Sequence, residues 1–272
     1  MALINQEQAA EHYTAAETHM AGLKKIVDLR GGLGNIEDGI VALKICRTDI
    51  LFAMQQGGHP LFHRDQISHI KHILAYKGFN LERGSDGYSI RNSRLDSTLQ
   101  EAFSDTMGLC RLFNKHMDEK LLNLVEFQEV LVSICYRLLG FRTINESRSK
   151  QDFQSAYHIG LSLFMISIYF HNKHHRMARP GLIESLIEEA IGSLLNNQEV
   201  EFEFWLLTVG GFSVPVNDGR GGMVEKLREQ ASILGIVTWD QAKDRLSRFP
   251  WMDAIHDEPS RKLWDQVRLM DV

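Results

Sequence analysis

KIVDLRGGLGNIEDGIVALKICRTDI, residues 25–50, sets a glycine cluster between two stretches whose apolar residues recur at helical spacing. Glycines in such a place can cradle a phosphate, or they can end one helix and start the next. A phosphate cradle needs a defined context: a P-loop lysine with Ser/Thr, or GxGxxG spacing behind a strand. RGGLGN has none of these. Residues 15–29 carry Met20, Leu23, Ile26, Val27 and Leu29, the apolar side of a helix. Gly31 or Gly32 is therefore expected to take the left-handed conformation that closes it. Arg30, in the last turn, complements the negative end of the helix dipole. Asn35, a good N-cap type, is expected to open the following helix.

The same period runs outward along the chain. Residues 36–56 hold Ile36, Ile40, Leu43, Ile50 and Met54, and stop at Gly57-Gly58 ahead of Pro60. In 96–116 the stretch DSTLQEAF gives Ser97 and Gln100 capping-box spacing. Residues 119–139 repeat the stripe, and 181–195, GLIESLIEEAIGSLL, carries a broad one behind Pro180, which suits a first helical position. VEFEFWLL, 200–207, alternates like a strand at first, but a lone strand has no partner to pair with, so it is read as helix. Near the end, Thr238 and Gln241 have capping-box spacing for a helix over 239–249, Phe249-Pro250-Trp251 breaks it, and Pro259 is expected to start another. Trp239, Trp251 and Trp264 are expected to anchor this tail on the core. The expectation is an all-α fold of nine to ten helices, one domain over 1–272 with a subdivision near 141–152. Two polar stretches, 77–96 and 141–152, read as loops.

Composition narrows the function classes. Hydrophobic residues make up 44% and charged residues 24% of 272, enough apolar content for a real core. The net charge of −5 lacks the basic surplus that unaided DNA binding needs, so no direct nucleic-acid contact is expected. The longest apolar run, 159–170, is too short to span a bilayer, and no membrane association is expected. The N-terminus has no signal-peptide pattern. Cys46, Cys110 and Cys135 lie far apart in apolar helical patterns and read as buried free thiols.

Chemistry-bearing clusters are few. His171, His174 and His175 share a helix face, and His59, His63, His69 and His72 form a loose group, but neither has the carboxylate of a HExxH site. A solvated helix end is the reading for the first group, and no metal or cofactor is expected. GxSxG, SxxK and local cysteine-nucleophile signatures are absent. Asp49 sits in the otherwise apolar LKICRTDILFAM and, if buried, needs a cationic or backbone partner. An alternative to a structural role is a helical enzyme or binding protein acting on a hydrophobic metabolite, with Asp49 and a histidine from 59–72 or 171–175 as acid and base. A backbone or arginine partner on Asp49 would remove that assignment.

Four stretches in order carry a resemblance: HMAGLKKIVDLRGGLGNI at 19–36, ICRTDILFAMQQGGHPLF at 45–62, FWLLTVGGFSV at 204–214, and Trp239, Leu246, Phe249, Trp251, Asp253, Leu263, Trp264 and Val267 in the tail. Together they resemble the fungal-specific transcription factor domain, the C-terminal regulatory region of fungal zinc-cluster transcription factors. The resemblance implies an all-helical regulatory module of the nucleus, acting through dimerisation, ligand sensing or contact with a protein partner, with no catalytic residues to carry over. Its signature positions here are Arg30, Gly31, Gly32, Asp49, Trp205, Gly210, Gly211, Trp239, Trp251 and Trp264. Family members usually place a six-cysteine zinc cluster ahead of this domain. The three scattered cysteines here form no such module.

Overall fold

Every regular element in the computed structural model, which describes residues 1–81, 95–146, 152–169, 180–194, 199–213 and 220–269, is a helix. The all-α expectation holds. The count rises to twelve α-helices among the described residues, against nine to ten expected. They are α1 (Ala2–Ala9), α2 (Tyr13–Leu29), α3 (Gly39–Gln56), α4 (Ile67–Tyr76), α5 (Ser97–His116), α6 (Leu124–Phe141), α7 (Phe153–Tyr169), α8 (Pro180–Ser193), α9 (Val200–Ser213), α10 (Arg220–Ile233), α11 (Trp239–Leu246) and α12 (Asp253–Leu269). The sequence pattern marks no helix at α4 or α10, and α10 opens on RGG, which by composition reads as a turn.

Contacts gather these helices into two compact units. The first is built from Met1–Asn80 and Lys120–Glu146, with Asn172–Ala178 outside the described residues. The second takes Leu81–Glu119 and the described parts of Ser147–His171 and Arg179–Val272. In the first unit α3 packs on α6, α6 on α4, and α1 on α2 and α3. In the second, α9 is the hub, touching α7, α8, α10, α11 and α12. Val200–Ser213 is thus helix along the stretch whose alternation hinted at strand.

The helix ends follow local chemistry, with instructive departures. Asn123 and Glu126 form a reciprocal capping box on α6, as Thr238 and Gln241 do on α11. At α5 the cap is Asp96 rather than within the expected Ser97 box: its Oδ1 accepts from the Thr98 amide at 2.8 Å. Asx side chains reach an amide two residues on, and a cap at Asp96 makes Ser97 the first helical residue, one earlier than a Ser97 cap would. α11 ends at Leu246, short of the expected 249. α12 starts at Asp253, six residues before Pro259, which lies inside the helix. A proline there withholds an N–H from the carbonyl four residues back, a disruption of about 3 kcal/mol in an interior turn. The helix forms regardless, because its Ser260, Leu263, Trp264 and Val267 are buried. The histidines 171, 174 and 175, residues 82–94 of the loop segment 77–96 and residues 147–151 of the segment 141–152 lie outside the described residues.

Candidate functional site: the strap over Asp49 and the aromatic hub

The RGG turn is helix punctuation. Gly31 and Gly32 have φ of 82° and 99°, the left-handed region that favours glycine. The Gly32 amide donates to the Val27 carbonyl at 3.0 Å and the Gly31 amide to the Asp28 carbonyl at 2.9 Å. This paired arrangement is a Schellman close. Both glycine amides are spent on carbonyls of α2, which leaves them no role as an anion cradle. Arg30 is exposed and caps the helix end. The chain then makes one 3₁₀ turn, Leu33–Asn35, in which Asn35 Nδ2 donates back to the Gly31 carbonyl at 3.1 Å. Asn35 is therefore a turn lock. The N-cap of α3 is Asp38, whose Oδ1 accepts from the amides of Ile40 and Val41. An acidic cap suits the positive end of the helix better than a neutral one.

Asp49 lies on the buried face of α3, 1% exposed. Its Oδ1 accepts from the Leu61 amide at 2.8 Å, and its Oδ2 from the Phe62 amide at 2.9 Å and the Tyr136 hydroxyl at 2.9 Å. Burial pushes its carboxyl above the ordinary value, and the three donors only partly offset this. Burial, reinforced by the Asp49 charge, likewise drives the Tyr136 hydroxyl upward. Cys46, one turn before Asp49, hydrogen-bonds to Tyr136, and burial lifts its thiol to about 11. Such a thiol stays protonated and inert at neutral pH.

The residues between α3 and α4, GGHPLFHRDQ, form a strap laid along α3 and α6. Gly57, with φ of 71°, closes α3 and lets the strap begin. A row on α6 at positions 129, 133, 136 and 137 then takes hold of it, on the helical spacing that puts these residues on one side. Glu129 is gripped by Arg64, with Nε–Oε2 at 2.8 Å and Nη2–Oε1 at 2.5 Å. Ser133 Oγ accepts from the Gln66 amide at 2.8 Å while donating to the Glu129 carbonyl. Arg137 Nε donates to Asp65 Oδ2 at 2.6 Å, and the other oxygen of Asp65 takes the Ile67 amide at the start of α4. His63 packs its ring 5.7 Å from that of Tyr136. Asp49 thus has backbone and tyrosine partners, so it is an anchor and not a general base. Among the described residues no histidine from 59–72 meets it in a hydrogen bond or ion pair, and no group of three His, Cys, Asp or Glu could hold a metal. All three cysteines are buried and unbridged.

The other signature residues converge in the second unit. Trp205 on α9 stacks on Phe249 at 5.5 Å between ring centres, and its Nε1 donates to the Pro250 carbonyl at 3.0 Å. Phe202 stacks on Tyr157 at 4.3 Å and lies 5.4 Å from Trp205. Such pairs add about 0.5–1.5 kcal/mol each beyond their area. Gly210 and Gly211 lie in the last turn of α9 and exist for closeness. A Cβ on Gly210 would stand 2.0 Å from Ile187 Cδ1, and one on Gly211 2.8 Å from Leu263 Cδ2, so the pair seats α8 and α12 against α9. Trp251 is buried and donates through Nε1 to Asp257 Oδ1 at 2.8 Å. Its carbonyl takes Asn114 Nδ2, and its ring lies 5.2 Å from that of His256. His256 is fully buried, with Nδ1 accepting the Met252 amide and Nε2 on Ser167 Oγ. Trp264 is buried on α12, edge-on to Phe204 at 6.5 Å. Trp239 departs from the expectation. As the first residue of α11 it is only half-buried, and it carries the Arg261 guanidinium 5.7 Å over its ring instead of entering the core.

Sequence reasoning singled out Asp49 and the tryptophans but missed Arg64, Glu129, Ser133, Tyr136 and Arg137. The signal was present in α6: Glu129, Ser133, Tyr136 and Arg137 recur at helical spacing on one side of a largely apolar helix. No family model, no curated protein and no solved structure matches this chain.

Proposed function

We propose that the chain is a regulatory and interaction module of the fungal transcription-factor type, working in the nucleus through dimerisation, ligand sensing or a protein partner, and without a DNA-binding module in the sequence given. One observation carries this reading. The positions that make up the resemblance are mostly those on which the helices depend: the Schellman close at Arg30–Gly32, the anchor at Asp49, and the aromatic and glycine contacts of Trp205, Gly210, Gly211, Trp251 and Trp264. A family signature made of architectural residues fits a domain whose output is a helix arrangement, and it supplies no reacting group. Regulation would then be a population shift, in which a ligand or partner favours one arrangement over another.

The test is reporter transcription with the chain fused to a heterologous DNA-binding domain, alongside size-exclusion chromatography of the purified chain. The reading expects the fusion to change reporter output several-fold relative to the DNA-binding domain alone. Unchanged output together with a strictly monomeric chain would overturn it.

A further inference from the structure

On the buried face of α12, Ser260 and Trp264 stand one helical turn apart, 1% and 4% exposed. Neither Ser260 Oγ nor Trp264 Nε1 has a hydrogen-bond partner among the described residues. Buried indole N–H groups and hydroxyls are ordinarily paired, because leaving one unpaired costs about 1–3 kcal/mol. The other indoles of the hub obey the rule: Trp205 Nε1 binds the Pro250 carbonyl and Trp251 Nε1 binds Asp257. The neighbouring histidine of α12, His256, has both ring nitrogens engaged. Other buried polar atoms also lack a partner among the described residues, Ser162 Oγ on α7 among them, but on α12 the two unpaired donors stand one turn apart on one buried face.

Side chains four apart on a helix are neighbours, with Cβ atoms roughly 5–6 Å apart, so the two unpaired donors share one side of α12. The surroundings are apolar. Phe204 meets the Trp264 ring edge-on, Leu263 is buried beside it, and Met223 Sδ and Leu263 both approach the Gly211 position. We infer that Ser260 and Trp264 form the polar end of a small-molecule site between α12, α9 and α10, which takes an uncharged, mainly apolar ligand through one carbonyl-type acceptor oxygen. Indole N–H donates only, so the ligand atom must accept. Both donors are neutral, so neither would compensate a buried ligand charge, which disfavours carboxylates and ammonium groups. The assignment gives a place and a ligand class to the ligand-sensing part of the function proposed above, and rests on that part of the reading.

The indole N–H resonances of 15N-labelled protein test it directly, since the chain has four tryptophans. 2-Octanone is the probe, with n-octane as the control that lacks an acceptor. The expected result is a saturable shift of the Trp264 resonance with the ketone and not with the alkane, while those of Trp205 and Trp251 stay in place. Ser260→Ala should weaken the ketone response about fivefold, as loss of one neutral hydrogen bond does, yet leave the free protein as stable as before or more so. A Trp264 resonance that never moves means a bridging water only and overturns the site. So does a shift of equal size in Ser260→Ala, or a joint drift of all four resonances. Binding is read on the purified chain, so a negative result here removes the site without bearing on the reporter experiment.

Discussion

The two units place their most buried chemistry differently. In the first, a strap with an exposed Leu61 is fastened by a carboxylate, an arginine–glutamate pair, a serine and a second ion pair, all projecting from α3, α6 and the strap itself. In the second, α9 is held at its buried side by stacked rings and by glycines that let neighbouring helices close in, with ion pairs from Glu201 to Arg245 and Arg248 at its partly exposed start. Polar fastening is directional and expensive to break on one side, because the abandoned partner stays buried. Aromatic fastening scales with area and tolerates changes of pH and salt. The first unit should therefore be the one that solution conditions can reach, and the second the constant part.

The comparison can be broken most forcefully in the hub. Trp205→Ala removes the central ring and orphans the Pro250 carbonyl, and is expected to cost about 5 kcal/mol in denaturant unfolding, the upper end for a buried aromatic. A loss under about 1 kcal/mol would deny α9 its role. Next comes Glu129→Ala, which strands the Arg64 guanidinium beneath the strap. About 3–4 kcal/mol should be lost, and Glu129→Ala combined with Arg64→Met should recover most of it. Failure of the double variant to recover would mean that the pair is not the fastening.

Asp49 sharpens the contrast in pH. Its folded carboxyl is raised above its ordinary 3.8 by burial, so folding favours its protonated form. The stability this contributes is complete below the unfolded value and falls as pH rises through the higher folded value. Relative to Asp49→Asn, the wild type should thus lose stability as pH climbs out of the acid range, as read by urea unfolding at stepped pH. Parallel curves would contradict the assignment. The smallest effect is expected at the rim: Arg261→Ala removes the cation over Trp239 and should cost about 0.5–1 kcal/mol.

Much of this was legible in sequence. The apolar stripes placed most of the helices, the left-handed glycines closed α2 and α3 where expected, and Thr238 with Gln241 capped α11. Asp49 declared itself as a carboxylate in an apolar helix. Its partners did not, since Tyr136 lies 87 residues away and Arg64 reaches 65 residues to Glu129. Long-range pairing of this kind depends on which faces the fold brings together, and periodicity along one helix carries no such information. Pro259 and Trp239 misled for a related reason. Burial of the α12 face outweighed the local cost of proline, and a position at the first residue of α11 kept a large ring at the rim. The unpaired donors on Ser260 and Trp264 had no sequence signature at all.

Amide hydrogen exchange at Leu61 and Phe62 reports most directly on whether the strap is held by side chains. Both amides donate to Asp49, so in the wild type they should exchange as slowly as amides inside α6, despite lying outside any helix. In Asp49→Ala they should exchange at least about a hundredfold faster, the equivalent of losing roughly 2–3 kcal/mol of local protection, while amides in the second unit keep their rates. Fast exchange of Leu61 and Phe62 in the wild type, or unchanged rates in the variant, would contradict the account.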